Sequence, residues 1–232
     1  MKRTKQKTKV SAKIKQGDNE LYVSSFKITN DPIKTNENKF SKADQNQVDD
    51  IFDLLTTDPK QAIEQLLVLK ETYPQAPVLY NYLSAAYNRI GNYKAQRELV
   101  TENYDKNPDY HFAKVNYAQQ CLNSGDFEKI PEIFDHKFDL KQLYPHRTTF
   151  HVTEYSGFTG VMCAYYCSIG QREAAQLLFE SLQKVAPDSN MIGYAKSFLH
   201  PSLATKLHRW MYQKRQNKAQ QQQKDHDYSI KA

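Results

Sequence analysis

The chain has 232 residues, of which 39% are hydrophobic and 25% are charged, and its net charge is +6. This composition supports a folded core, but no apolar run approaches the ~18 residues that a transmembrane helix needs. Three cysteines in a chain of this length do not make a disulfide framework, so we expect a protein of the reducing cytoplasm.

The positive charge is concentrated at the two ends of the chain. Residues 1–15 contain seven Lys/Arg and no acid, and residues 206–232 contain seven Lys/Arg and two acids. We predict a basic, disordered tail over 1–19 and a second disordered tail over 219–232, because blocks of like charge repel and seldom pack. The alternative is that the basic ends bind nucleic acid or an anionic membrane.

Residues 20–42 are predicted to form an extended linker. Within it, residues 20–28 have the composition of a β-strand. No second strand is predicted elsewhere, so this stretch is expected either to be disordered or to lie in a groove of the helical body as an internal pseudo-ligand.

A repeat with a fixed period organises residues 43–189. The aligned segments are 43–76, 77–110, 111–142 and 156–189, and the first two intervals are 34 residues long. Glycines that end a first helix and prolines at the helix exit recur at equivalent positions: Gly91, Gly125, Gly170, Pro74, Pro108 and Pro187. Each segment is therefore predicted to be a helix-turn-helix unit.

Local signals support individual helices of these segments. Asp58-Pro59 is a capping carboxylate followed by a proline suited to the first helical position. Pro131 stands early in the second helix of 111–142, which we therefore expect to be short or kinked. Two apolar helix faces are predicted, one of Val48, Ile51, Phe52 and Leu55 and one of Leu79, Leu83, Tyr87 and Ile90.

The third interval is longer because residues 143–155 form an insertion. Its His146, His151 and Glu154 invite a metal-site interpretation, but their spacing matches no familiar motif. The plainer prediction is a surface loop whose Phe150 and Tyr155 pack on neighbouring helices.

Residues 190–218 are predicted to form C-terminal capping helices. The face that would seal the last repeat consists of Leu203, Leu207, Trp210 and Met211, flanked by basic residues. A basic amphipathic helix for a membrane or a calmodulin-type partner is the alternative.

No motif for catalysis or phosphate binding occurs in the chain. Cys163 and Cys167 lie four residues apart and are expected to be small core residues rather than ligands. We therefore predict no enzyme activity and no cofactor; an enzyme with its site in the insertion remains as a third hypothesis.

The repeat positions of Tyr80, Leu83, Tyr87, Gly91 and Pro108 resemble the tetratricopeptide repeat family, including bacterial members of unassigned function. The resemblance implies an all-α solenoid of about four repeats plus a C-terminal capping helix. It also implies a scaffold or adaptor that binds a peptide or protein partner in a concave groove. The implied groove residues are Asn81, Tyr82, Asn88, Arg89, Phe112, Asn116, Gln119 and Asn123.

The family's carboxylate clamp for chaperone tails is not matched. Asn81 and Ala85 stand where the clamp has lysine and asparagine, and Gly157 and Val161 stand where it has a Lys/Arg pair. Binding of chaperone tails is therefore disfavoured. The competing hypothesis for function is an accessory protein held on nucleic acid or an anionic membrane by its basic termini.

Overall fold

The structure is a computed structural model. It describes residues 8–10, 13–16, 19–22, 26–31, 40–203, 205–207 and 211. This part of the chain is mainly helical, with many packed helices and a few short strands, which confirms the predicted helical character in its coarse form. No helix among the described residues is both long enough and apolar enough to span a bilayer.

The chain divides into two compact units. One consists of residues 31–120 and is called the central unit here. The other combines residues 1–30 with residues 121–232 and is called the split unit. The central unit is thus inserted, in sequence, between two parts of the split unit.

The central unit is built from helices joined by short turns. They are α1 (Lys42–Thr57), α2 (Pro59–Thr72), α3 (Pro77–Arg89), α4 (Tyr93–Lys106) and α5 (His111–Ser124), whose last turn belongs to the split unit. Asn103 of α4 contacts Pro77 of α3, whereas Gln96 contacts Ser84, so α3 and α4 run antiparallel. The starts of α2 and α4, and those of α3 and α5, are each offset by 34 residues.

The predicted ends of these helices are confirmed. The Asp58 carboxylate accepts a hydrogen bond from the Gln61 N–H (3.0 Å), and Pro59 occupies the start of α2. Gly91 has a φ of 76°, a left-handed conformation that glycine adopts without a Cβ clash. Asn92 then caps α4 by accepting from the Ala95 N–H at 3.2 Å.

Two residues that were expected in the core of the central unit, Phe52 and Ile90, are exposed instead. Val48, Ile51 and Leu55 of α1 are buried, as are Leu79 and Leu83 of α3, but Phe52 is 55% exposed and Ile90 is 38% exposed. Phe52 lies one residue round the helix from Ile51, outside the narrow stripe that α2 and α3 cover. Ile90 follows the last residue of α3, where the helix has already ended.

Among its described residues, the split unit contains two small sheets. Its strands are β1 (Thr8–Val10), β2 (Lys13–Gln16), β3 (Asn19–Tyr22), β4 (Phe26–Thr29) and β5 (Thr149–His151). The strand order is β1-β4-β5 in one sheet and β2-β3 in the other. The β1-β4 and β2-β3 pairs are antiparallel, and the β4-β5 pair is parallel.

Within the ranges predicted as a disordered tail (1–19) and an extended linker (20–42), the described residues 8–10, 13–16, 19–22 and 26–29 form strands, in keeping with the strand composition of 20–28. Residues 20–28 were expected to have no sheet to join, yet β4 pairs with β5 of the insertion. The partner strand lies more than a hundred residues further on, beyond the reach of a local pattern.

The helices of the split unit are short at first and long afterwards. A 3-10 turn (Phe127–Lys129) precedes α6 (Ile130–Ile133), and α7 (Leu140–Leu143), α8 (Val152–Ser168), α9 (Arg172–Val185) and α10 (Met191–Leu199) follow. The short segment around Pro131 confirms that prediction. The 143–155 insertion is less loop-like than expected, because it contains β5 and the first turn of α8.

The α8–α9 helix pair is covered by α10 rather than by the predicted face of Leu203, Leu207, Trp210 and Met211. Met191, Ala195, Phe198 and Leu199 of α10 are buried, and α10 packs on both α8 and α9. The helical residues Leu203, Leu207 and Met211 are exposed by 84%, 55% and 39%. Pro201 separates them from α10, which already supplies the apolar cover. Trp210 and residues 219–232 lie outside the described part of the chain.

Candidate functional site

An aromatic pair, one ring exposed and the other half-buried, marks one face of the central unit. The rings of Phe52 on α1 and Tyr82 on α3 lie 5.5 Å apart between centroids. Burial raises the pKa of the Tyr82 phenol, and the nearby Asp49 carboxylate raises it further. The first-helix face is defined here as the exposed and half-buried side chains of α1, α3 and α5 within the central unit. It therefore combines aromatic area with negative charge.

Asn81 and Asn116, the pair at the centre of the predicted groove, contact each other directly. The Asn116 amide donates to Asn81 Oδ1 (3.1 Å), which also accepts from Asn103 Nδ2 (3.2 Å). Asn81 Nδ2 donates to the Tyr110 hydroxyl at 3.3 Å. Both lone pairs of the Asn81 oxygen are thereby used, which leaves that oxygen without capacity for a ligand.

The asparagine network continues into α4. Asn103 is 2% exposed, donates to the Pro77 carbonyl (3.4 Å), and accepts from Asn107 Nδ2 (3.0 Å). Sequence reasoning overlooked Asn103 and Tyr110. The sequence did contain a signal for Asn103: it lies four residues before Asn107 and on the same side of α4 as buried Leu99 and Val100. A polar side chain on a buried helix face needs a hydrogen-bond partner.

The other predicted groove residues lie on the first-helix face with different exposures. Asn88 and Arg89 are exposed at the end of α3, and Gln119 is half-buried on α5. Phe112 is half-buried, with its ring 5.8 Å from that of Tyr110. The remaining predicted residue, Asn123, belongs to the split unit.

Two of the three residues in the metal hypothesis, His151 and Glu154, cap a helix. His151 is the N-cap of α8, and Glu154 closes a capping box by accepting from the His151 N–H at 2.8 Å. The Arg147 guanidinium donates two hydrogen bonds to the Glu154 carboxylate, one to Oε1 at 2.9 Å and one to Oε2 at 2.7 Å. Among the described residues, no group of three His, Cys, Asp or Glu side chains is arranged to hold a metal ion.

Cys163 and Cys167 lie on α8 in different environments. The Cys163 thiol donates to the Ala175 carbonyl (3.3 Å), and a hydrogen bond with Cys167, followed by burial, raises the pKa of Cys163. A thiol held protonated in this way is a poor nucleophile at neutral pH. Half-buried Cys167 lines a cleft of about 270 Å³ together with Arg172.

Comparison with known proteins does not assign this chain to a family. No family model matches the chain, and no curated protein matches it. Among solved structures, the chain is similar to one titled "MamA RS-1 ArsTM double mutant". The likeness covers 78% of this chain and 97% of that one, at 11% identity and a TM-score of 0.43. A likeness at that score does not establish a shared fold.

Partner binding by the groove residues stays a prediction, and the described residues leave three further sequence predictions untested. The basic ends, on which binding to nucleic acid or anionic lipid depends, lie almost entirely outside the described side chains. The cytoplasmic location and the absence of enzyme activity likewise stay predictions.

Proposed function

We propose that the chain is a non-catalytic scaffold of the tetratricopeptide type, which binds an extended segment of a protein partner on its first-helix face. The four-repeat division into 43–76, 77–110, 111–142 and 156–189 is part of the proposal. It is supported by the 34-residue offsets between the helices of the central unit.

The observation that carries the proposal is the pair formed by exposed Phe52 and half-buried Tyr82. Phe52 is 55% exposed and its ring lies 5.5 Å from that of Tyr82, so the two rings present adjoining aromatic area on neighbouring helices. Aromatic side chains of this kind dominate the energetics of protein interfaces. Asp49 beside Tyr82 favours a partner segment that carries an apolar side chain next to a basic one.

The remaining groove residues take secondary roles. Asn88, Arg89, Phe112 and Gln119 would extend the contact along α3 and α5. Asn81 and Asn116 would position the two helices relative to each other, because their hydrogen bonds are internal. Direct recognition of a partner by the Asn81 oxygen is not part of the proposal.

Site-specific photo-crosslinking tests the proposal. Tyr82 is replaced by p-benzoyl-phenylalanine in one protein, and Val68, which is 63% exposed on α2, is replaced in the matched control. Ultraviolet irradiation in cell lysate should give discrete protein adducts with the first variant only. Adding Phe52→Ala should reduce their yield at least several-fold. Equal adducts at both positions, or none at position 82, would contradict the proposal.

A further inference from the structure

Helix α1 presents an excess of negative charge beside Phe52. The helix contains four aspartates and one lysine, and Asp49, Asp50 and Asp53 are exposed. The ion pairs that join described residues do not include these three carboxylates. Asp49 and Asp53 lie four residues apart, a spacing at which like charges on a helix repel each other. A cation bound at this surface would therefore relieve a repulsion that the free protein carries.

The aromatic pair adjoins these carboxylates. Asp49 precedes Phe52 by three residues, and side chains at that spacing are neighbours on a helix surface. The Asp49 carboxylate is also close enough to Tyr82 to raise the pKa of its phenol, in addition to the larger effect of burial. The ring planes of Phe52 and Tyr82 are inclined by 49° to each other, with 5.5 Å between their centroids. Two aromatic rings and a carboxylate thus share the surface formed by α1 and α3.

Rings and carboxylates together favour a cation that has a flat face. An arginine guanidinium is planar, so it can stack on an aromatic ring while its N–H groups donate paired hydrogen bonds to a carboxylate. A lysine ammonium is compact and strongly hydrated, and it offers no plane to stack. The charged residue of α3 itself, Arg89, lies seven residues beyond Tyr82, roughly 10 Å along the helix axis. It therefore leaves the negative charge beside Phe52 in place.

We propose that Phe52, Tyr82 and Asp49, with Asp53 beside them, form a subsite for an arginine side chain of the partner segment. The guanidinium stacks on the aromatic pair and donates hydrogen bonds to the Asp49 carboxylate, while Asp53 adds negative charge. This inference rests on the proposed function and gives it a specific ligand chemistry. The partner is then an extended segment that carries an arginine beside an apolar residue, and not simply any basic segment.

Two pools of synthetic eight-residue peptides are the probe, and their retention on immobilised full-length protein is the measurement. One pool has arginine at a central position and the other has citrulline, which keeps the shape of arginine without its charge; the other positions vary among uncharged residues. The wild type should retain the arginine pool about fivefold more than the citrulline pool. D49N/D53N should remove this preference, and Phe52→Ala should reduce it.

The matched control is D105N/D109N, which neutralises two exposed aspartates at the same spacing but outside the first-helix face. This variant should keep the preference for arginine. Equal retention of the two pools by the wild type would overturn the proposal, as would a preference that survives D49N/D53N. Photo-crosslinking at position 82 separates this failure from that of the proposed function. Adducts that persist in full with D49N/D53N would mean that the face binds its partner without an arginine subsite.

Discussion

Asn116 on α5 donates its side-chain amide to Asn81 on α3 over 3.1 Å, joining positions 35 residues apart. The family resemblance placed both side chains in the groove that would bind a partner. The structure places the bond inside a network that also contains buried Asn103. Substitution of Asn81 therefore disturbs packing as well as any binding, so Phe52 and Tyr82 are the cleaner positions at which to test function.

Asn103→Ala is expected to lower the free energy of unfolding by about 1–3 kcal/mol. Asn103 is buried, and the substitution removes the hydrogen bonds of its side-chain amide with Asn81, Asn107 and Pro77. Asn88→Ala, at an exposed position of α3, should change it by less than about 0.5 kcal/mol. Urea unfolding followed by circular dichroism measures both. Similar values for the two variants would show that the network does not stabilise the fold.

Ile51 and Phe52 form a pair of neighbours with opposite environments. Ile51 is fully buried, so Ile51→Ala should cost about 2–5 kcal/mol through lost burial and the cavity left behind. Phe52→Ala should cost less than about 1 kcal/mol, because the ring is mostly in water. Thermal unfolding of the two variants distinguishes them, and the reverse order would mean that the register of α1 is wrong.

Gly160 permits the close approach of α8 and α10. A Cβ at this position would meet the Met191 side chain at 2.6 Å and 3.0 Å, whereas a Cβ at Gly193 would meet nothing within 4 Å. Gly160→Ala should therefore destabilise the protein by about 1–3 kcal/mol. Gly193→Ala should be neutral or stabilise it by up to about 1 kcal/mol, through the better helix propensity of alanine.

Differential scanning calorimetry of these two glycine variants is the measurement. An unchanged melting temperature for Gly160→Ala would mean that Met191 moves aside without cost, and that α10 is not tightly seated against α8.

Sequence reasoning succeeded where the signal is local. The left-handed turn at Gly91 and the cap at Asp58 each depend on a few adjacent residues, and both occur as expected. The predicted apolar face of α1 was wrong at one residue, Phe52, which is exposed. An apolar residue beside a buried stripe has the same sequence spacing whether or not a neighbouring helix covers it.

Pairings over long distances were beyond the sequence. Residues 26–29 have strand composition, but nothing local identifies β5 as their partner. His151 and Glu154 suggested metal ligands, although the three-residue spacing before a helix is also that of a capping box. The exposed stripe of Leu203 and Leu207 shows the complementary limit: amphipathic spacing reveals an apolar face but not whether anything covers it.

In the sequence, the central unit lies between the two parts of the split unit, and this fixes the order in which the two units can be completed on the ribosome. β4 emerges early, but β5 follows only after the 119 residues between Thr29 and Thr149. At about 5–20 residues per second, β4 waits roughly 6–24 s for its partner strand. The central unit is synthesised within that interval and can close first. The nascent chain therefore carries Phe26 and Ile28 unpaired for seconds, a period in which a chaperone has access to them.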